Sequence, residues 1–255
     1  MKKDKVYFVS DLHLGIPTHD TSLERERLLV KWLEEIKPNA AEIFLMGDLF
    51  DFWFEYKAVV PKGYVRFLGK LAEITDSGIP VHVFKGNHDL WAFDYLEKEV
   101  GVKLYRKPQI RKIFDKTFYL AHGDGLGPGD KNYKFLKSVF EFKPNQFLFR
   151  WLHPDLGARM GNFFSQRSRL AKMDYADSID DANFEKEKEM LYHYSLKKIK
   201  QHPDVEYFVF GHRHIPIIIP VNESTKMVIL GDWLSHFSYG VFDMDGKMTI
   251  DSYSG

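Results

Sequence analysis

The chain has 255 residues, 44% of them hydrophobic, with a formal net charge of zero and no cysteine. Such a length and apolar content support one large core, or a core carrying a modest insertion. Zero net charge provides no global field toward nucleic acid, and the missing thiols exclude structural disulfides and thiolate metal sites.

The basic start Met1-Lys2-Lys3-Asp4-Lys5 runs into an apolar stretch that ends by Asp11, too short for a secretory signal peptide. No segment reaches the roughly 20 apolar residues that span a bilayer, so a soluble, cytoplasmic protein is expected. Residues 6–9 read as a buried strand. Leu23, Leu28, Leu29, Trp32, Leu33 and Ile36 then recur at helical spacing, predicting a helix over 21–36 that stops before Pro38. A second strand is expected over 42–46, and a second helix over 64–75 with Gly78 just past its end. The third strand, 80–84, runs into Lys85-Gly86-Asn87-His88-Asp89. This alternation predicts a layered α/β domain with loops gathered at one edge of the sheet.

A short helix over 91–99 and a hairpin of strands 110–114 and 117–121 come next. Residues 130–172 change character, being rich in aromatics, Lys and Arg, with Glu141 and Asp155 as acids beside Asp130 itself. Residues 174–189 are acidic. A helix over 184–200 leads to a strand over 205–210, and the tail (215–219, 226–230, 238–242, 248–252) reads as an antiparallel run closing a second sheet.

Five polar clusters follow apolar strands directly: Asp11 with His13, Asp48 with Asp51, Asn87-His88-Asp89, His122 with Asp124, and His212 with His214. Each alone is ordinary turn or cap chemistry. Together they are not, because turn chemistry has no reason to choose His and Asp after five strands. Two divalent cations about 3.5–4 Å apart need a bridging carboxylate and several N or O donors. Imidazole with carboxylate and amide oxygen suits Mn, Zn or Fe, and the lack of thiolate argues against a purely structural zinc.

The ordered set D-x-H (11–13), G-D-x-x-D (47–51), G-N-H-D (86–89), H-G-D (122–124) and G-H-x-H (211–214) resembles the calcineurin-like metallophosphoesterases. The resemblance implies an α/β fold, a four-layer αββα sandwich with a dinuclear site. By motif position, Asp11, His13 and His214 would hold one metal, Asn87, His122 and His212 the other, and Asp48 would bridge. His88, with Asp89 behind it, would act on the phosphoryl group, and Asp51 would orient a ligand. On this basis residues 1–125 and 191–255 form the sandwich and 126–190 a helical cap. Two divalent ions, read as Mn2+, would be the cofactors. A non-catalytic module that kept the sandwich as an interaction surface would lack ligands, and no position is missing.

Composition leaves the substrate open. A basic, aromatic cap suits acyl chains beside phosphate or an anionic membrane surface, and it equally suits single-stranded nucleic acid; about half of its aromatics would simply pack the cap onto the body. Gly47–Trp53, the His122-Gly-Asp-x-Leu stretch to Asp130, Ala158-Arg159-Met160 with Ser165, and Leu230-Gly231-Asp232-Trp233 are similar to the UDP-2,3-diacylglucosamine pyrophosphatases of lipid A synthesis. That likeness implies hydrolysis of the UDP-sugar lipid to UMP and 2,3-diacylglucosamine 1-phosphate, with no nucleic acid partner. It would put Asp130, Ser165, Arg169 and Lys172 near the sugar and phosphate, and the enzyme at the inner-membrane surface, soluble but peripheral. His88 departs from that group, whose best-known members carry Arg there, and Asp51 stands where Glu is usual. His is the general superfamily residue, so another nucleotide or phosphodiester substrate is the alternative.

Overall fold

A computed structural model describes residues 2–16, 18–128, 131–176 and 184–255. β1 (Lys5–Val9), β2 (Ala40–Leu45) and β3 (Val81–Phe84) are parallel neighbours. They are covered on both faces, which is why they read as apolar runs rather than as alternating ones. Between them cross α1 (His19–Ile36) and α2 (Val65–Asp76). Thr18 and Thr21 cap α1 reciprocally, so the helix begins two residues earlier than its apolar spacing predicts. α2 has no side-chain cap of its own. Glu26 of α1 accepts the N–H groups of Arg66 (2.9 Å) and Phe67 (3.0 Å) instead, placing a carboxylate at the positive end of the helix.

The helix expected over 91–99 is shorter, α3 (Tyr95–Glu99). Trp91 pairs with Phe54 in an isolated bridge, and Glu55 collects the N–H groups of Phe93, Asp94 and Tyr95, so winding starts only there. β4 (Lys103–Tyr105) has three residues, too few for any periodicity to announce it. The hairpin is β5 (Gln109–Ile113) with β6 (Lys116–Leu120). Three helices follow: α4 (Lys131–Glu141), α5 (Lys143–Arg150) and α6 (Pro154–Ala176). The helix expected over 184–200 is divided. A 3-10 turn at Lys186–Lys188 precedes extended Glu189, whose carboxylate accepts the Leu191 N–H and caps α7 (Met190–Ile199).

β7 (Tyr207–Phe210), β8 (Pro216–Pro220), β9 (Lys226–Leu230), β10 (Ser238–Asp243) and β11 (Met248–Ser252) complete two sheets. Their orders are β11-β10-β1-β2-β3-β4 and β5-β6-β7-β9-β8. The expected antiparallel tail is corrected here. β9 runs parallel to β7, and β10 with β11 leaves the second sheet to extend the first alongside β1. Alternation predicts that these segments are strands, but it does not name their partners.

Alternate residues sort the layers. Val6, Phe8, Phe44, Phe118, Val209 and Phe242 pack between the sheets. Tyr7, Val9, Ile43 and Leu45 face Leu29, Trp32, Phe67 and Leu71 of α1 and α2. Tyr119, Phe208 and Phe210 pack with Leu191 of α7. The result is the expected αββα sandwich. Its parallel strands β1, β2, β3, β6 and β7 deliver the five polar clusters to one edge, where a doubly wound sheet binds ligands.

Candidate metal centre

The chain leaves the strands through backbone that side-chain-bearing residues avoid. Asp11 (φ 55°), His13 (41°), Asp48 (53°), His212 (69°) and His214 (56°) all adopt left-handed conformations. Each costs on the order of 1 kcal/mol or more and persists because the surrounding structure enforces it. Two glycines permit the close approach of these loops. A Cβ on Gly86 would fall on the Asp48 carboxylate, and one on Gly211 on Ser10 Oγ and Asp11 Oδ2.

Among the described residues His13, Asp51 and His88 form a third donor group beside the two that the motifs predict, Asp11, His13 and His214 in one and Asp48, His122 and His212 in the other. Asp48 stands between those two. Its Oδ1 accepts the His88 N–H at 2.9 Å, and its Oδ2 lies 3.3 Å from His122 Nε2 and 3.8 Å from His13 Nε2. Asp11 Oδ2 accepts the His212 N–H at 2.8 Å, while its Oδ1 lies 3.4 Å from His214 Nε2.

Buried polar atoms ordinarily have hydrogen-bond partners. Here Asp11 Oδ1, His13 Nε2, Asn87 Oδ1 and His122 Nε2 have none, and each belongs to a residue expected to bind metal. Such atoms are satisfied by cations rather than by one another. The outer nitrogens of His122 and His214 are already held. His122 Nδ1–H donates to the Met46 carbonyl at 2.8 Å, so Nε2, which faces Asp48, is the nitrogen that a cation would take in place of a proton. His214 Nδ1 lies 3.1 Å from Asp232 Oδ2. Such outer partners fix the tautomer of a ligating imidazole. The donor set therefore fits two divalent ions.

Electrostatics agree. Burial would lower the pKa of His13, but Asp11 and Asp51 raise it to about 9. Burial likewise opposes protonation of His122, yet Asp48 carries it to about 10. Burial pushes the Asp48 and Asp11 carboxyls up, and the surrounding imidazoles outweigh it and hold both below their ordinary range. Without cations, protons on the histidines do their work.

His88 sits beside both groups, its ring 4.7 Å from that of His13. Its Nδ1–H donates to the Asp51 carbonyl at 2.8 Å, and Ser165 Oγ lies 3.1 Å from the same nitrogen. The Asp51 carboxylate stands 3.6 Å from His13 Nδ1 and 3.7 Å from His88 Nδ1, between the two rings. Asp89 takes the N–H groups of Leu49 (2.8 Å) and Gly86 (2.5 Å), tying the second and third loops together. Burial and then the Asp48 charge push the Asp89 carboxyl up to about 6. Asp124 accepts from Tyr133 (2.5 Å) and Lys137 (2.7 Å), fastening α4 to the fourth loop. Of the residues expected near the sugar, Ser165 reaches the site. Asp130 lies outside the described residues, as do the side chains of Arg169 and Lys172 on α6.

One residue at the site, Asp232, enters the sequence reading only within the Leu230–Trp233 likeness and has no role there. Asp232 follows β9 in a Gly-Asp pair, as Asp48 follows β2, which was the available signal. Its Oδ1 accepts the N–H groups of Leu234, Ser235 and His236, freeing Oδ2 to face His214 and His236. Burial raises its pKa, but the His214 partner and these amides hold it far below the usual carboxylate range.

A family model described as calcineurin-like phosphoesterase matches residues 4–216. A UDP-2,3-diacylglucosamine hydrolase of Porphyromonas gingivalis is 38% identical over 250 residues, covering 94% of this chain and 95% of that protein. Proteins of the same name from Haemophilus influenzae (28% over 244 residues, 94% of each chain) and Hahella chejuensis (28% over 251 residues, 96% of each chain) are also similar.

Proposed function

The chain belongs to the calcineurin-like phosphoesterase family, and on that premise we propose that this metal-dependent hydrolase cleaves the pyrophosphate of UDP-2,3-diacylglucosamine. Water would add to one phosphorus, the P–O–P bond would break, and UMP and 2,3-diacylglucosamine 1-phosphate would leave. The relative most similar among those named carries that hydrolase name. The observation that carries the reading is the juxtaposition of the two donor groups around Asp48 with helices whose aromatics face solvent.

Asp11, His13 and His214 would hold one cation and Asn87, His122 and His212 the other, with Asp48 shared. Manganese fits a set of imidazole, carboxylate and amide oxygen without thiolate. Divalent ions supply Lewis-acid stabilisation of phosphoryl oxygens and make bound water more acidic. The chain's own residues do the rest. Asp232 holds the His214 ring, Met46 holds the His122 ring, and Asp89 locks the Leu49 and Gly86 amides together. His88, its Nδ1–H held by the Asp51 carbonyl, presents Nε2 toward the phosphoryl or leaving-group oxygen, to which it would donate once that nitrogen is protonated, a form that burial disfavours.

We read residues 126–190 as the cap and 1–125 with 191–255 as the sandwich. Trp91, Phe54 and Phe149 form the joint, with ring centroids 4.7–5.1 Å apart, and Trp91 Nε1–H donates to the Phe140 carbonyl at 2.9 Å. Phe135, Phe147, Leu148 and Trp151 are left exposed. They would receive acyl chains or enter a membrane surface, while the neighbouring cations meet anionic lipid. No helix of the described residues is long and apolar enough to cross a membrane. Asp130, Arg169 and Lys172 are assigned to the sugar and phosphate with Ser165. Purified protein with manganese should release UMP from the diacylated UDP-sugar. Turnover of a generic phosphodiester without any UMP release would overturn the substrate.

A further inference from the structure

Gly157, Gly161 and Ser165 recur every four residues along α6 and share one face. The opposite side carries exposed Phe163. A Cβ on Gly157 would collide with the Tyr56 hydroxyl and crowd the Phe149 ring, and one on Gly161 would fall within the Phe52 ring. The helix therefore lies against Phe52 and Tyr56 as closely as backbone allows. Both aromatics belong to the loop that starts at Asp48. One turn further along, Ser165 is 7% exposed and its Oγ stands 3.1 Å from His88 Nδ1.

We propose that Gly157 and Gly161 form a seat that sets the height of α6, and that Ser165, carried on that seat, is a positioning residue for His88. The imidazole then has two oxygens on one nitrogen, the Asp51 carbonyl at 2.8 Å and Ser165 Oγ at 3.1 Å. A ring flip forfeits both, so Nε2 stays directed at the reacting phosphoryl group. One helix face thus joins the segment that chooses the substrate to the group that acts on it. The inference rests on the role given to His88 but not on the identity of the substrate.

Ser165→Ala, Gly161→Ala and the double variant Gly161→Ala with Phe52→Leu test it. Each would be assayed on bis(p-nitrophenyl) phosphate, which has no acyl chain to be held, and on UDP-2,3-diacylglucosamine. Metal content and melting temperature serve as controls, and 15N-histidine NMR follows the His88 Nδ1–H without any substrate. Ser165→Ala and Gly161→Ala should each lower kcat on both substrates by on the order of tenfold, a misplacement effect. Both should speed exchange of the His88 Nδ1–H at unchanged metal content. Phe52→Leu should restore Gly161→Ala by making room for the added methyl. Should Gly161→Ala fail to fold, Ser165→Ala decides alone. Unchanged diester turnover and unchanged proton exchange in Ser165→Ala, with losses confined to the KM of the lipid, would overturn the proposal. Absence of UMP release by the wild type would instead remove the substrate assignment and leave the diester and NMR results to stand.

Discussion

The metal centre and the cap helices are built on opposite principles. At the centre, Asp11, His13, Asp48 and His122 are buried, backbone strain is enforced, and the outer nitrogens of His122 and His214 face the Met46 carbonyl and Asp232. On α4 and α5 no residue is buried, and large apolar side chains face solvent. The centre fixes chemistry through rigid strand ends, so a single lost atom there is costly. On the proposed reading the cap is a surface that fits a class of molecule, and its residues would act as a sum.

Substitutions at the centre should therefore show large, discrete effects and those on the cap small, graded ones. The largest is expected for Asp48→Ala. Removing the carboxylate between both donor groups should cost about a thousandfold or more in kcat, with less than two metals retained per chain by elemental analysis. Asp232→Asn comes next. The loss of the charge holding His214 should weaken one metal by about 10–100-fold, measured by manganese titration. A small effect there would mean that the Asp232 contact is incidental.

Proton and metal should compete for the same nitrogens. His13 and His122 are raised to about 9 and about 10 in the metal-free fold, so the native state binds more protons than the unfolded chain above the ordinary histidine range of about 6.5. Their contribution to metal-free stability is complete below that range and is lost as pH rises toward 9–10. Manganese binding at neutral pH should accordingly release protons and weaken on acidification, as calorimetry in two buffers would show. Pairing or burial differences that left proton release at zero would contradict the protonated site.

The smallest effects belong to the cap. Trp151, 78% exposed on the short turn after α5, should tolerate Ser within about 0.5 kcal/mol of stability. The same change should raise the KM for the diacylated substrate several-fold, about what a partly buried aromatic is worth, without altering turnover of a small diester. A thousandfold loss there would make the cap resemble the centre and break the contrast.

This contrast also explains what was legible in the sequence. Motif spacing brought Asp11, His13, Asp48, Asn87, His122, His212 and His214 into view because each stands where an apolar strand stops. Asp232 does so as well, but no histidine lies within two residues of it and its role is visible only through His214. Layer order was readable from doubly buried strands such as β1, whereas the return of β10 to the first sheet was not, since alternation is the same whichever neighbour a strand joins. The late starts of α3 and α7 depend on Glu55 and Glu189, side chains that take backbone amides from outside the helical pattern. Gly157 and Gly161 are poor helix formers by intrinsic propensity, and only the packing of Tyr56 and Phe52 against them gives the reason for their place in α6.

The central claim is that the two regions act together on one molecule. Relative kcat/KM for UDP-2,3-diacylglucosamine and for UDP-N-acetylglucosamine, which shares the pyrophosphate and lacks the long acyl chains, tests it most directly. With manganese present, the account predicts UMP release from the diacylated substrate at a kcat/KM at least about a hundredfold higher, the sum of many buried methylenes. Equal rates on the two would contradict it, because the metal centre would then be working without the cap.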